Sequence, residues 1–186
     1  MTRLVKTNAT YDDLVDLPEN VNGEIVGGDL YATPRPRVGH AATQGVVGSD
    51  LTARFRLGDG GPGGWWILPE PELRFGVEVL VPDLGGWRRS RVPELDRDVV
   101  SVTIAPDWVA EIVSPSTARF DRVIKLPVYA RERVGHVWII DPIACTLEVL
   151  RLEGGRWTIE SQHAGADRVR AAPFDAVEID LARWWS

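Results

Sequence analysis

Apolar and polar positions follow two different periods along this chain. In the second half, short blocks of β-branched and aromatic residues predict strands over residues 65–75, 78–81, 108–113, 136–140, 147–152 and 157–160. In the first half, Val46, Val47, Leu51 and Phe55 recur at three- and four-residue spacing, which predicts a helix over residues 38–57. Residues 10–17 (TYDDLVDL) read as a short helix with Thr10 as N-cap and acids in the first turn. Residues 24–31 read as a hairpin, because Gly27-Gly28 supplies the positive φ of a tight turn.

A further helix is expected over roughly residues 119–133, with Gly135 as its C-terminal cap and Pro127 forcing a kink or a late start. It separates two of the strands and makes one strand–helix–strand crossover. The segment GDGGPGG is a loop and not a phosphate cradle, since no Lys-Ser/Thr follows it. The expected fold is α/β (α+β): a central mixed, mostly antiparallel sheet flanked by helices, in a single domain over residues 1–186.

Composition narrows the function classes. Hydrophobic content of 44% and charged content of 26% are globular values. No apolar run is long enough to span a membrane, and residues 1–14 lack a signal core, so a cytoplasmic location is expected. Cys145 is the single cysteine and reads as a small buried strand residue; three scattered histidines give no zinc pattern. The net charge of −6 argues against a broad nucleic-acid-binding surface, leaving a local patch such as Arg88, Arg89 and Arg91, otherwise a solvated loop.

Of the 21 basic residues only Lys6 and Lys125 are lysine, so the other 19 are arginine. Lys125 follows two carboxylates set by apolar runs: Asp83 in VEVLVPDLGG and Glu111 in PDWVAEIVSPST. Asp83 precedes two glycines that loosen the backbone, which places it where a sheet frays. Glu111 has apolar neighbours on both sides, so it either faces outward or requires a cation. Two carboxylates with the backbone carbonyl of Ile112 suit Mg²⁺, or Mn²⁺ as a substitute. Lys125 would then orient the attacking water or stabilise charge on phosphorus. Asp121, four residues earlier on the helix, is placed to hold the ammonium, and an arginine at 125 is expected to be tolerated by folding but not by catalysis.

These residues resemble the Uma-type restriction endonuclease family, a bacterial branch of the PD-(D/E)XK nuclease superfamily. The matching pieces are NGEIVGGDL from Asn22, His40, LPEP from Leu68, VPD from Val81, PDWVAEIVSPST from Pro106, DRVIKLPVYA from Asp121 and VWIIDP from Val137. The resemblance spans about residues 11–152 and implies a restriction-endonuclease-like core. It makes Asp83 and Glu111 the motif carboxylates. The superfamily's usual lysine, two residues after the glutamate, is Val113 here, and Lys125 on the next helix takes its place. Glu24 matches an added outer metal ligand, while His40 and Glu70 fall at family-typical positions, with His40 equally suited to a structural role.

The reading that follows is a Mg²⁺-dependent endonuclease acting on DNA, without a membrane partner. Duplex cleavage and the terminal Trp184 and Trp185, which need a surface to pack on, point to a homodimer. The alternative is a catalytically silent domain of the same fold, serving as a nucleic-acid-binding or protein-interaction module. The net charge favours that alternative; the intact Asp83, Glu111 and Lys125 favour the enzyme.

Overall fold

Chain order follows the two periods of the sequence with several insertions. The computed structural model of the protein describes residues 1–185. Strand β1 (Arg3–Lys6) and helix α1 (Tyr11–Val15) precede the hairpin β2 (Val21–Val26) and β3 (Asp29–Pro34). Helix α2 (Val38–Leu51) widens into a π-type turn over Thr52–Leu57. Strands β4 (Trp65–Pro69), β5 (Glu72–Phe75), β6 (Glu78–Leu80), β7 (Leu84–Arg88), β8 (Ser101–Val102) and β9 (Trp108–Ile112) follow. A second π-type turn, Phe120–Lys125, leads directly into α3 (Leu126–Arg131). The remainder is β10 (His136–Asp141), β11 (Thr146–Glu153), β12 (Arg156–Ala164), β13 (Arg168–Val169), β14 (Ile179–Asp180) and a 3₁₀ turn, Leu181–Trp184.

The strands form two six-stranded mixed sheets where the sequence suggested one central sheet. The first has the order β1-β3-β2-β6-β5-β8, the second β12-β11-β10-β9-β7-β4, and β13 pairs with β14 apart from both. Within the second sheet β9 and β10 are parallel and all other neighbours antiparallel. The parallel pair is joined by the segment carrying the π-type turn and α3, which is the expected crossover.

Both faces of the second sheet are buried, and the period of two sorts its residues. Trp108, Ala110 and Ile112 of β9 join Trp138 and Ile140 of β10 on one face, against Val47, Leu51 and Phe55 of the α2 segment. Val109, Val137 and Ile139 point the other way, to a cluster with Phe120, Leu126 and Tyr129 of the crossover and Val26, Leu73 and Leu80 of the first sheet. The crossover therefore touches both sheets; the Phe120 ring lies 4.9 Å from that of Tyr31 on β3.

Several sequence expectations change. Strand β7 falls where glycines suggested fraying. A Cβ on Gly85 would meet Pro71 Cγ at 2.8 Å, and one on Gly86 would meet the Trp108 ring at 3.0 Å. These glycines admit close packing within a strand and do not loosen it. The segment 65–75 splits at Glu70, whose φ of 44° breaks the strand. The crossover helix ends at Arg131, and Arg133 (φ 62°), not Gly135, takes the left-handed position. Cys145 is in a turn with φ 54°, not within a strand. Trp184 is buried in this chain's own core, and Trp185, partly buried, packs beside it. No helix among the described residues is long and apolar enough to cross a membrane.

Candidate active site

Glu111 owes its position to strand alternation. Its neighbours Ala110 and Ile112 face α2, so Glu111 faces the crossover, only 2% exposed. Glu24 comes from β2 of the first sheet and is also buried. Asp83 occupies the short link between β6 and β7, so its place depends on the close packing of β7. Lys125 is the last residue of the π-type turn before Pro127 stiffens the start of α3. Four segments distant in sequence thus meet between the two sheets.

The geometry is specific. Lys125 Nζ lies 2.8 Å from Glu111 Oε1 and 2.9 Å from Glu24 Oε1, and donates to the Val81 carbonyl at 3.0 Å. The Tyr129 hydroxyl donates to the same Glu111 oxygen at 2.6 Å. The Val81 N–H donates to Glu24 Oε1 at 2.8 Å. Asp83 is held at both oxygens: Oδ1 lies 2.7 Å from His40 Nε2, and Oδ2 accepts from the Ile112 N–H at 2.6 Å. Its backbone carbonyl accepts from Gln44 Nε2 and from the Glu70 N–H, each at 3.0 Å. His40 and Gln44 stand one turn apart on α2, so one helix face clamps the aspartate.

Burial and crowding of the carboxylates dominate the electrostatics. Burial pulls the Lys125 ammonium down, but Glu111, Glu24 and Asp121 carry its pKa well above the ordinary lysine value. Burial pushes the Glu111 carboxyl up, with Asp121, Asp83 and Glu24 adding to it and Lys125 opposing. Burial likewise pushes Asp121 up to about 7, again against the pull of Lys125. His40 is lowered by burial, yet its hydrogen bond to Asp83 and the charges of Asp83, Asp121 and Glu70 raise it overall.

The structure brings together Asp83, Glu111, Lys125, Glu24, Ile112 and His40. It departs from expectation in three contacts. The ammonium is held by Glu24, Glu111 and the Val81 carbonyl; Asp121 makes no ion pair with it, because a π-type turn is wider than the α-turn that sets i,i+4 neighbours together. Ile112 meets Asp83 through its N–H. The Glu70 side chain is exposed, and only its backbone touches Asp83. Tyr129 and Gln44 were missed. Tyr129 stood in the matching DRVIKLPVYA run without an assigned role, and Gln44 was legible only through its four-residue spacing from His40.

Four carboxylates interact with one ammonium and one raised histidine, and burial with mutual repulsion pushes Glu111 and Asp121 toward their protonated forms. Such a donor set fits a hard divalent cation, which takes one or two carboxylates plus water. The bonds to Glu111 and Glu24 all fall on Oε1, leaving Oε2 of each outside them. No group of three or more His, Cys, Asp or Glu side chains stands in metal-holding geometry among the described residues.

Comparison with known proteins bears on the family and the fold. A family model, Uma2, described as "Putative restriction endonuclease", matches residues 9–182. The fold is similar to that of a "putative nuclease belonging to DUF820" from Anabaena variabilis, with a TM-score of 0.71 at 22% identity, covering 95% of this chain and 97% of that one. A stretch of 44 residues is 50% identical to "Tricorn protease homolog 1" of Streptomyces coelicolor. That likeness covers 24% of this chain and 4% of the relative, so the chain spans only a small part of that protein's length.

Proposed function

The chain belongs to the Uma2 family, described as "Putative restriction endonuclease", and on that footing we propose that it is a Mg²⁺-dependent endonuclease hydrolysing DNA phosphodiester bonds. The observation that carries this reading is the Lys125 ammonium, buried against Glu111 and Glu24 beside an Asp83 pinned at both oxygens. Asp83 and Glu111, with the Ile112 carbonyl, would hold the metal, and Glu24 would serve as an outer carboxylate. When bound, the ion lowers the pKa of a water ligand and offsets charge developing at phosphorus.

The protein's own residues do the rest. His40 and the Ile112 N–H fix the Asp83 carboxylate, so it loses no rotamer freedom when a ligand arrives. Tyr129 fixes Glu111 through one oxygen and leaves the other outside that bond. Lys125 stays protonated; its three donors are taken by Glu111, Glu24 and the Val81 carbonyl, so it holds the carboxylates in place and would act on a phosphoryl oxygen through its field. Burial strengthens that charge by keeping bulk water away.

One observation favours a second reading, the catalytically silent module. Every carboxylate of the centre already has a partner within the protein, and no three acids stand ready for a metal among the described residues. Mn²⁺ titration calorimetry and plasmid nicking on wild type, Asp83→Ala and Glu111→Gln decide between them. Binding and nicking in the wild type, both lost in the variants, support the enzyme; equal Mn²⁺ affinity in all three removes the pair from the site.

A further inference from the structure

We propose that an arginine-rimmed groove beside the acidic centre binds an unpaired nucleic-acid strand that continues from the scissile phosphate, which makes the preferred substrate single-stranded or locally opened. The inference rests on the nuclease reading for its purpose, but its geometry stands apart from the catalytic residues. Two cavities of about 500 Å³ and about 420 Å³ adjoin along β4, sharing Trp66, Leu95 and Arg97 as walls. The second also contains Glu70, whose N–H donates to the Asp83 carbonyl at 3.0 Å, so the groove opens next to the acidic centre. From Glu70 to Trp66 is four residues of extended chain, roughly 13 Å. A strand lying there is only a few nucleotides from Asp83.

The lining has the two chemistries such a strand needs. Arg89 stacks 4.2 Å over the Trp66 ring and Arg56 lies 5.8 Å from it. Their other contacts are to carbonyls: Arg56 to Ile67 and Arg89 to Arg56. Arg97 is exposed, and none of the three has a carboxylate partner among the described residues. The buried Arg89 Nε has no hydrogen-bond partner among the described residues. By contrast Arg54, Arg91, Arg122, Arg131 and Arg151 each pair with an acid. The lining of the second cavity also includes Val99 and Val100, 50% and 79% exposed.

Guanidinium groups over an apolar and aromatic wall take phosphates on one side and unstacked bases on the other. Duplex DNA would hide its bases and demand a broad positive surface, which a chain of net charge −6 does not offer. Acidic residues at the rim confine the positive potential to the arginines. The lining thus holds four carboxylates, Glu70, Glu72, Glu94 and Asp96, beside the three arginines; Glu72 accepts from Tyr11 and Ser101 and Asp96 from the Asp98 N–H, neutral donors that fix these side chains without cancelling their charge. All four are repulsive edges that disfavour a wide polyanion and leave attraction local to the guanidinium groups on Trp66.

The test is fluorescence anisotropy in EDTA with a labelled oligothymidylate of about a dozen nucleotides and a duplex of the same length, from 50 to 200 mM salt. The proteins are wild type, Arg97→Ala, Arg89→Ala/Arg97→Ala and, as control, Arg168→Ala on the far Glu178 pair. The wild type should prefer the single strand. Arg97→Ala should weaken it by roughly three- to tenfold and the double variant further, each arginine lowering the salt slope by about 0.7. Arg168→Ala should bind as wild type, and thermal melts should match for Arg97→Ala. Unchanged binding in both groove variants, a preference for duplex, or no binding of the single strand by wild type would overturn the proposal. Equal displacement of the oligonucleotide by polyglutamate would overturn it too, since charge alone would then suffice. If the arginine variants lose the single strand but the wild type never nicks DNA, the groove stands and the nuclease reading falls. If the wild type nicks and the variants bind and nick equally well, the reverse holds.

Discussion

Lys125 Nζ and Glu111 Oε1 stand 2.8 Å apart with both side chains almost wholly out of water. The pair joins the crossover segment to β9, and through Glu24 the same ammonium reaches the first sheet. Removing one member leaves buried charge without a partner, a loss on the order of 3–5 kcal/mol. Urea denaturation of Lys125→Met should read a loss of that size at neutral pH. Lys125→Arg should also destabilise, by about 1–3 kcal/mol, because a guanidinium overfills a site shaped for a point charge. The buried site with three contacts thus leads to a different prediction from the sequence, which led to the expectation that folding tolerates arginine here. Nicking by Lys125→Arg should fall on the order of 10²-fold; full activity with unchanged stability would refute the assigned fit.

Asp121 makes stability depend on pH. Its carboxyl is raised from 3.8 to about 7, so the folded chain keeps a proton that the unfolded chain has released. Stability from this group is therefore present below the unfolded value and is lost as pH rises from about 4 to about 7. Asp121→Asn should be more stable than wild type at pH 8 by on the order of a few kcal/mol, with the gap closing toward pH 4. Chemical denaturation at both pH values checks this. A gap that widens on acidification would contradict the burial of the carboxylate.

Tyr129 tests how Glu111 is held. Tyr129→Phe keeps the buried ring and removes only the hydroxyl that donates at 2.6 Å. The expected loss is about 1.5–3 kcal/mol, the range for a hydrogen bond to a charged group. Equal stability in a thermal or urea melt would mean that Lys125 alone positions the carboxylate.

Gly86 tests the strand that carries Asp83 into place. A Cβ there meets the Trp108 ring at 3.0 Å and Ile67 at 3.3 Å, both in the core. Gly86→Ala should cost about 1–3 kcal/mol by overpacking. Because β7 starts directly after Asp83, Mn²⁺ affinity measured by calorimetry should fall with it. A neutral melt would show that β7 has room to relax.

Much of the local structure was legible because it depends on local chemistry. The period of two marked β9, β10 and β11, the three- and four-residue spacing marked α2, and Gly27-Gly28 marked the hairpin turn. Pro127 foretold an irregular entry to the crossover helix, which became the π-type turn. The scarcity of lysine singled out Lys125, and the apolar neighbours of Glu111 left it either outward-facing or in need of a cation. What tertiary structure alone decided were relations between distant segments. Gly85 and Gly86 look like a loop until Trp108 and Pro71 close on them and make a strand. The partners of Lys125 proved to be Glu24 and Glu111, 101 and 14 residues away, and not the neighbouring Asp121. Periodicity fixes which face a side chain takes within its own element, but only packing decides which face of another element it meets.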